Sequence, residues 1–148
     1  MGDVRPRTAL YKLTGSDLDR ALVQLDEAIT MICRMETVTH FVFEASMRLV
    51  NAEHGYDSAF TLISLQAVAR RAATRAGALV YPVNVGTWRK HFIGSGNLPG
   101  PVAKKKAQER CTQLGYTFQN VDAAEACGVW DYGVHTYCRK DLNLKIVK

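Results

Sequence analysis

Three acids in this sequence stand where they could do chemistry. Glu44 directly follows Val38–Phe43 (VTHFVF), a β-branched and aromatic run that reads as a buried strand. It therefore sits at a strand's carboxyl end, where open α/β sheets place their sites. Asp122 and Glu125 are three residues apart at the start of a helix expected from Asp122 to about Cys138, so both project from one face. The small residues Ala123, Ala124 and Ala126 let that helix approach a sheet closely. Docked beside the Glu44 strand, the three side chains would offer hard oxygen donors of the kind Mg2+ or Mn2+ prefers. Two such ions about 4 Å apart activate a water and stabilise the leaving oxygen in phosphodiester hydrolysis. A plainer reading stays open for each part. Asp-x-x-Glu at a helix start is also a capping-box variant, and a lone Glu after a strand is commonly a solvated loop residue.

The densest basic region follows the same logic. Arg89, Lys90 and His91, the loop Gly94–Gly100, and Lys104, Lys105 and Lys106 lie close together in the chain. Lysines at a helix amino terminus oppose the helix dipole, so gathering them there makes sense if phosphates come to meet them. The alternative is a solvated charge run. Arg70, Arg71 and Arg75 form a second cluster, for which acids elsewhere in the fold are the expected neutralising partners. Trp88, Phe92, Trp130 and Tyr132 have faces that can stack on bases, although aromatics at helical spacing are more often core, a reading strongest for Trp130. His91 could move a proton near a scissile phosphate, or serve as a phosphate-facing or structural imidazole. Cys33, Cys111, Cys127 and Cys138 show no C-x-x-C pair, zinc-finger spacing or partner base. They are expected to be reduced, mostly buried thiols without a catalytic role.

The elements that must position these groups follow from periodicity and punctuation. Arg7–Leu13 alternates and ends at Thr14-Gly15, which predicts a strand and turn. Ser16 or Asp17 caps a helix to about Arg34, with Leu18, Ala21, Leu22, Leu25, Ile29 and Ile32 on its apolar face. After the Val38–Phe43 strand, Asn51–Asp57 reads as a loop, and Asp57 or Ser58 opens a helix to about Ala76 that Gly77 stops. Ala78–Val83 reads as a strand, with Pro82 marking an edge or terminus. A short helix over Gly86–Phe92, the loop Gly94–Pro101 and a basic helix from about Val102 to Leu114 precede the last helix. This order predicts the α/β class, with a right-handed parallel crossover between the Val38–Phe43 and Ala78–Val83 strands.

Composition bounds what such a chain can be. Its 148 residues suit a single domain, and 47% apolar with 22% charged excludes a disordered tail. Nineteen Lys and Arg against 14 Asp and Glu give +5, a mild excess that suits a phosphate-bearing partner without demanding one. No apolar run reaches the roughly 18 residues of a membrane span, and the first residues lack a secretory core. The expectation is a soluble, cytoplasmic protein with no membrane role and no small-molecule cofactor.

Thr87-Trp88-Arg89-Lys90-His91-Phe92-Ile93-Gly94-Ser95-Gly96-Asn97 resembles a T-x-R-K-H-F-x-G-x-G segment of the RuvC-type Holliday junction resolvases, in particular their phage-like branch. In that branch a lysine-bearing helix and an Asp-Ala-Ala-Asp-Ala helix follow; here the latter reads Asp122-Ala123-Ala124-Glu125-Ala126, and Phe41-Val42-Phe43-Glu44-Ala45 is similar to the second acidic motif. The matching order runs from about Arg7 to Tyr137. The resemblance implies a ribonuclease H-like three-layer fold, a sheet flanked by helices. It also implies a two-metal endonuclease selective for branched DNA, in a phage or prophage setting. By position, Glu44, Asp122 and Glu125 would be the catalytic metal ligands for Mg2+ or Mn2+. Arg89, Lys90, His91, Lys104, Lys105 and Lys106 would hold the nucleic acid. Glu125 replaces the usual Asp, one methylene longer, which would weaken Mg2+ or shift preference toward Mn2+.

Members of that family open with an apolar strand bearing the first catalytic Asp, whereas this chain starts near what matches their third strand. No apolar strand surrounds Asp3, so it is no substitute. The expected molecule is thus an amino-terminally truncated single domain over residues 1–148, with impaired nuclease chemistry. Three arrangements would satisfy the open edge of the Val38–Phe43 strand. Met1 is an internal start, or Arg7–Leu13 moves into the gap, or two chains pair as a homodimer. A non-catalytic nucleic-acid-binding or assembly protein of the same fold is the alternative.

Overall fold

The structure, a computed structural model, describes residues 5–14, 17–45 and 55–138. Their order is α1 (Leu18–Met35), β1 (His40–Ala45), α2 (Gly55–Arg75), β2 (Leu79–Asn84), α3 (Val85–Ile93), α4 (Gly100–Leu114) and α5 (Val121–Gly133). A π-helical turn, Val134–Cys138, continues α5. Among the described residues this is a mixed α/β fold with five helices and a small two-stranded parallel sheet, β1 beside β2. The chain divides into two compact units, Tyr11–Pro82 and Met1–Leu10 with Val83–Lys148.

In the Tyr11–Pro82 unit, Asp17 caps α1 by accepting from the Arg20 amide at 2.9 Å. Ile29 and the buried Cys33 on α1 meet Ala73 and Ala76 of α2, with Ala78, Val38, Phe41 and Val80 completing the cluster. Both helices end with a residue in the left-handed region. Gly77 (φ +91°) ends α2, and the Ala78 amide reaches back to the Ala73 carbonyl. Thr37 does the same for α1 at φ +50°, with the Val38 amide on the Cys33 carbonyl. The Leu79 amide then donates to the Thr39 carbonyl at 2.9 Å, where the two strands begin to pair.

The second unit rests on small residues. Ala103, Ala107 and Cys111, one turn apart on α4, and Ala124 and Cys127 on α5 are nearly or wholly inaccessible, so the two helices approach closely. Trp88 and Phe92 of α3 pack onto α5 at Gly128, where an added Cβ would lie 2.7 Å from Trp88 and 2.9 Å from Phe92. Glycine there sets the height of α3 above α5.

Several sequence expectations are corrected. Arg7–Leu13 forms no strand. It is tied instead by single side-chain bonds, Thr8 Oγ1 to the Thr117 carbonyl and Gln119 Nε2 to the Thr8 carbonyl, and Leu10 and Tyr11 are exposed. A strand needs a backbone ladder, and the alternation of this segment finds none among the described residues. Glu44 lies within β1 rather than after it. Of the loop expected over Asn51–Asp57, residues 51–54 lie outside the described residues, and the rest opens α2. The loop after α3 is shorter than expected, because Pro101 occupies the first turn of α4, where a missing amide hydrogen costs nothing. The last helix changes from α to π geometry after Gly133.

Candidate functional site

The sequence places Asp122 and Glu125 at a helix start, where either could cap. The cap is in fact Asn120, whose side chain accepts from the Ala123 amide at 2.8 Å. The acids are therefore left for other partners, and the capping-box reading does not hold. Glu125 Oε1 lies 2.6 Å from Arg89 Nη2, an ion pair whose side chains are only 16% and 14% exposed. Lys104 Nζ stands 3.4 Å from Asp122 Oδ1 and 3.9 Å from Glu125 Oε2, so one ammonium serves both carboxylates. Arg89 itself spreads over the Trp88 ring, 5.4 Å to the centroid, and its buried Nε finds no acceptor among the described residues.

The three helices make this arrangement together. Burial of Trp88 and Phe92 against Gly128 turns Arg89 toward Glu125 and His91 toward Asp131. The α4 face opposite Ala103 and Ala107 exposes Lys104, Lys105 and Lys106. Lys90, Lys105 and Lys106 are exposed without an ion-pair partner among the described residues. Arg71 and Arg75, in contrast, lie 3.5 and 2.6 Å from Asp26, the neutralisation expected for the second arginine cluster. Glu44 is exposed on β1 in the Tyr11–Pro82 unit, and its backbone carbonyl accepts from Gln66 Nε2 at 3.5 Å.

The base-stacking reading of Trp88 and Phe92 is overturned. Trp88 is wholly buried and Phe92 nearly so, which leaves no ring face for a base. Trp130 is half-buried with its ring edge-on to Tyr116, and Tyr132 is half-buried against His91 and Tyr137. Cys33, Cys111 and Cys127 are buried as free thiols, and Cys138 is partly so. The adjacent Cys127 sulfur, then burial, hold the Cys111 thiol well above its ordinary range, and Cys111 Sγ donates to the Ala124 carbonyl at 3.6 Å.

Sequence reasoning missed one constellation. His91 Nε2 lies 2.8 Å from Asp131 Oδ2, Tyr116 donates its hydroxyl to Asp131 Oδ1 at 2.9 Å, and His135 Nδ1 stands 3.4 Å from Asp131 Oδ2. The signal available was the four-residue spacing of Asp131 and His135, which puts both on one helical face. Nothing in the sequence linked that face to His91, forty positions earlier.

Comparisons with known proteins add one finding. No family model matches this sequence, and no curated protein is similar to it by sequence. Among solved structures, that of Thermus thermophilus RuvC is similar, with a TM-score of 0.61 at 11% identity, over 81% of this chain and 69% of that one. Likeness at that identity is a likeness of fold, and the chain shares the mixed α/β fold of that structure. Among the described residues no helix is long and apolar enough to cross a membrane.

Proposed function

We propose that this chain is a RuvC-like nuclease domain that binds branched DNA and hydrolyses its phosphodiester bonds with divalent metal. The observation that carries the reading is the meeting, on a RuvC-like fold, of a paired carboxylate site with a row of exposed lysines. Asp122, Glu125 and, from β1, Glu44 are the proposed Mg2+ or Mn2+ ligands. Asp122 and Glu125 suit a hard cation: both are oxygen donors one helical turn apart, and the Lys104 ammonium already stands within 4 Å of each. A bound metal would supply an activated water and charge stabilisation for the leaving oxygen. The chain's own part is to keep Glu125 in place through Arg89, and to bring phosphates to Lys90, Lys105 and Lys106. His91 borders this surface. The reading places the protein in the cytoplasm, on the phage-like branch, acting as a homodimer on branched or duplex DNA.

One observation favours a second reading. Glu125 is already paired with Arg89 at 2.6 Å, so a non-catalytic DNA-binding protein would need no metal to hold this site together.

A single experiment separates the two. Four-way junctions and linear duplexes are mixed with the protein over a salt series, then with Mg2+ or Mn2+. The nuclease reading expects junction-selective, salt-sensitive binding, with metal-dependent cleavage lost in Glu44→Ala. Binding without cleavage in either metal selects the second reading. No DNA affinity at low salt defeats both.

A further inference from the structure

Asp131 is the one buried charged residue among those described, 7% exposed. A carboxylate removed from water must be paired, hydrogen-bonded or bound to a cation. Tyr116 satisfies Oδ1 from one side, leaving Oδ2 between two imidazoles, His91 at 2.8 Å and His135 at 3.4 Å. One possible ligand atom from each of His91, Asp131 and His135 lies within 4.8 Å of the other two. His135 Nδ1 also stands 2.8 Å from the Asp131 backbone carbonyl. A carbonyl only accepts, so Nδ1 donates to it and Nε2 is the ring nitrogen left to face a cation.

The geometry points to a second metal site, for Zn2+ or a similar transition ion, held by His91, Asp131 and His135. Two imidazoles and a carboxylate form a borderline donor set, which selects Zn2+, Co2+ or Ni2+ rather than Mg2+. Ligand orientation is already provided. The Tyr116 hydroxyl fixes the carboxylate, and the Asp131 carbonyl fixes the His135 ring, the supporting bonds that metal-binding histidines and carboxylates use. Asp131 and His135 come from one helical face, and the π turn that begins at Val134 re-aims the second of them, a distortion frequent at functional sites.

Three protein ligands leave one tetrahedral position for water or an anion. His91 also lines a cleft of about 420 Å³ with Lys106, Glu109 and Arg110. The site uses none of Glu44, Asp122 and Glu125, and stands or falls apart from the nuclease reading.

The test is calorimetric titration of the chelator-stripped protein with Zn2+ in two buffers of different ionisation enthalpy, repeated with Co2+ by absorption. The expected result is one saturable ion per chain. His135→Ala and Asp131→Asn should each weaken binding about 10-fold or more, and should abolish the visible bands of tetrahedral Co2+. Tyr116→Phe keeps all three ligands and should weaken binding by about 10-fold. His40→Ala and Glu44→Gln should leave it unchanged. His135 is the most exposed ligand, 37% for its side chain, so its variant keeps the fold even where Asp131→Asn does not. No saturable binding, binding unchanged in His135→Ala, or binding lost in Glu44→Gln would overturn the site.

Discussion

Two arginine–carboxylate pairs among the described residues have the same 2.6 Å separation and differ on the arginine side, since the carboxylates of Asp26 and Glu125 are 21% and 16% exposed. Arg75 reaches Asp26 and also Thr30 Oγ1 at 3.0 Å, while its neighbour Arg71 approaches Asp26 at 3.5 Å; the two arginine side chains are 44% and 70% exposed. Arg89 and Glu125 are shielded on both sides, with an Arg89 nitrogen left over. With its arginines open to water such a pair adds about 0–1 kcal/mol, and the Asp26 group ties α1 to α2 while offsetting its own charge. Under cover, the attraction is offset by desolvation, so the Arg89–Glu125 pair gains little net stability yet cannot be half removed without cost. A cluster of cations in sequence therefore says little until its acids are located. Arg71 and Arg75 are occupied, whereas Lys90, Lys105 and Lys106 face solvent.

The comparison breaks most readily at its foundation. Gly128→Val would drive a side chain into Trp88 and Phe92, and chemical denaturation should show a loss of about 3 kcal/mol or more as α3 is forced off α5. Next comes the shielded pair itself. Arg89→Ala leaves a covered carboxylate without its main partner and should cost about 2–3 kcal/mol in the same assay, less than for a fully buried pair because Lys104 remains. Arg89→Ala combined with Glu125→Ala should recover part of that loss. Arg75→Ala, the matched change in the more exposed group, should cost no more than about 1 kcal/mol, since Arg71 stays beside Asp26. If the two arginine variants behave alike, burial is not what distinguishes the pairs.

Smaller effects sharpen the charge side. Lys105→Ala with Lys106→Ala should leave thermal stability unchanged and lower the salt slope of DNA binding by about 2, one for each phosphate that is no longer neutralised. The least expected change is at Thr37, where φ +50° costs a residue with a Cβ about 1–2 kcal/mol, while glycine gives back about half of that gain in chain entropy. Thr37→Gly should therefore raise stability by about 0.5 kcal/mol, read as a shift in denaturant midpoint.

How much of this was legible depends on the range of the interaction responsible. α1 matches its expected span to within a residue or two, since an Asp17 cap and an apolar face are local. The stop at Gly77 was equally plain, because only glycine adopts φ +91° cheaply. Arg7–Leu13 misled because alternation describes a strand only when something pairs with it. Asp122 and Glu125 had two local readings, and a residue outside their motif, Asn120, removed one of them. Trp88 and Phe92 had two readings, base stacking and the commoner one of core, and Gly128, far along the chain, is where they are buried.

By itself the sequence determined which segments are helical, where α1 begins and α2 stops, and the α/β class, since each follows from neighbours within a few turns. Tertiary structure alone decided which acid meets which cation, and that Tyr116, His91 and His135 surround one buried carboxylate. The reason is physical. Coulomb and coordination energies depend on distance and on shielding from water, and both are set when α3, α4 and α5 pack around small side chains, not by the order of residues along any one of them.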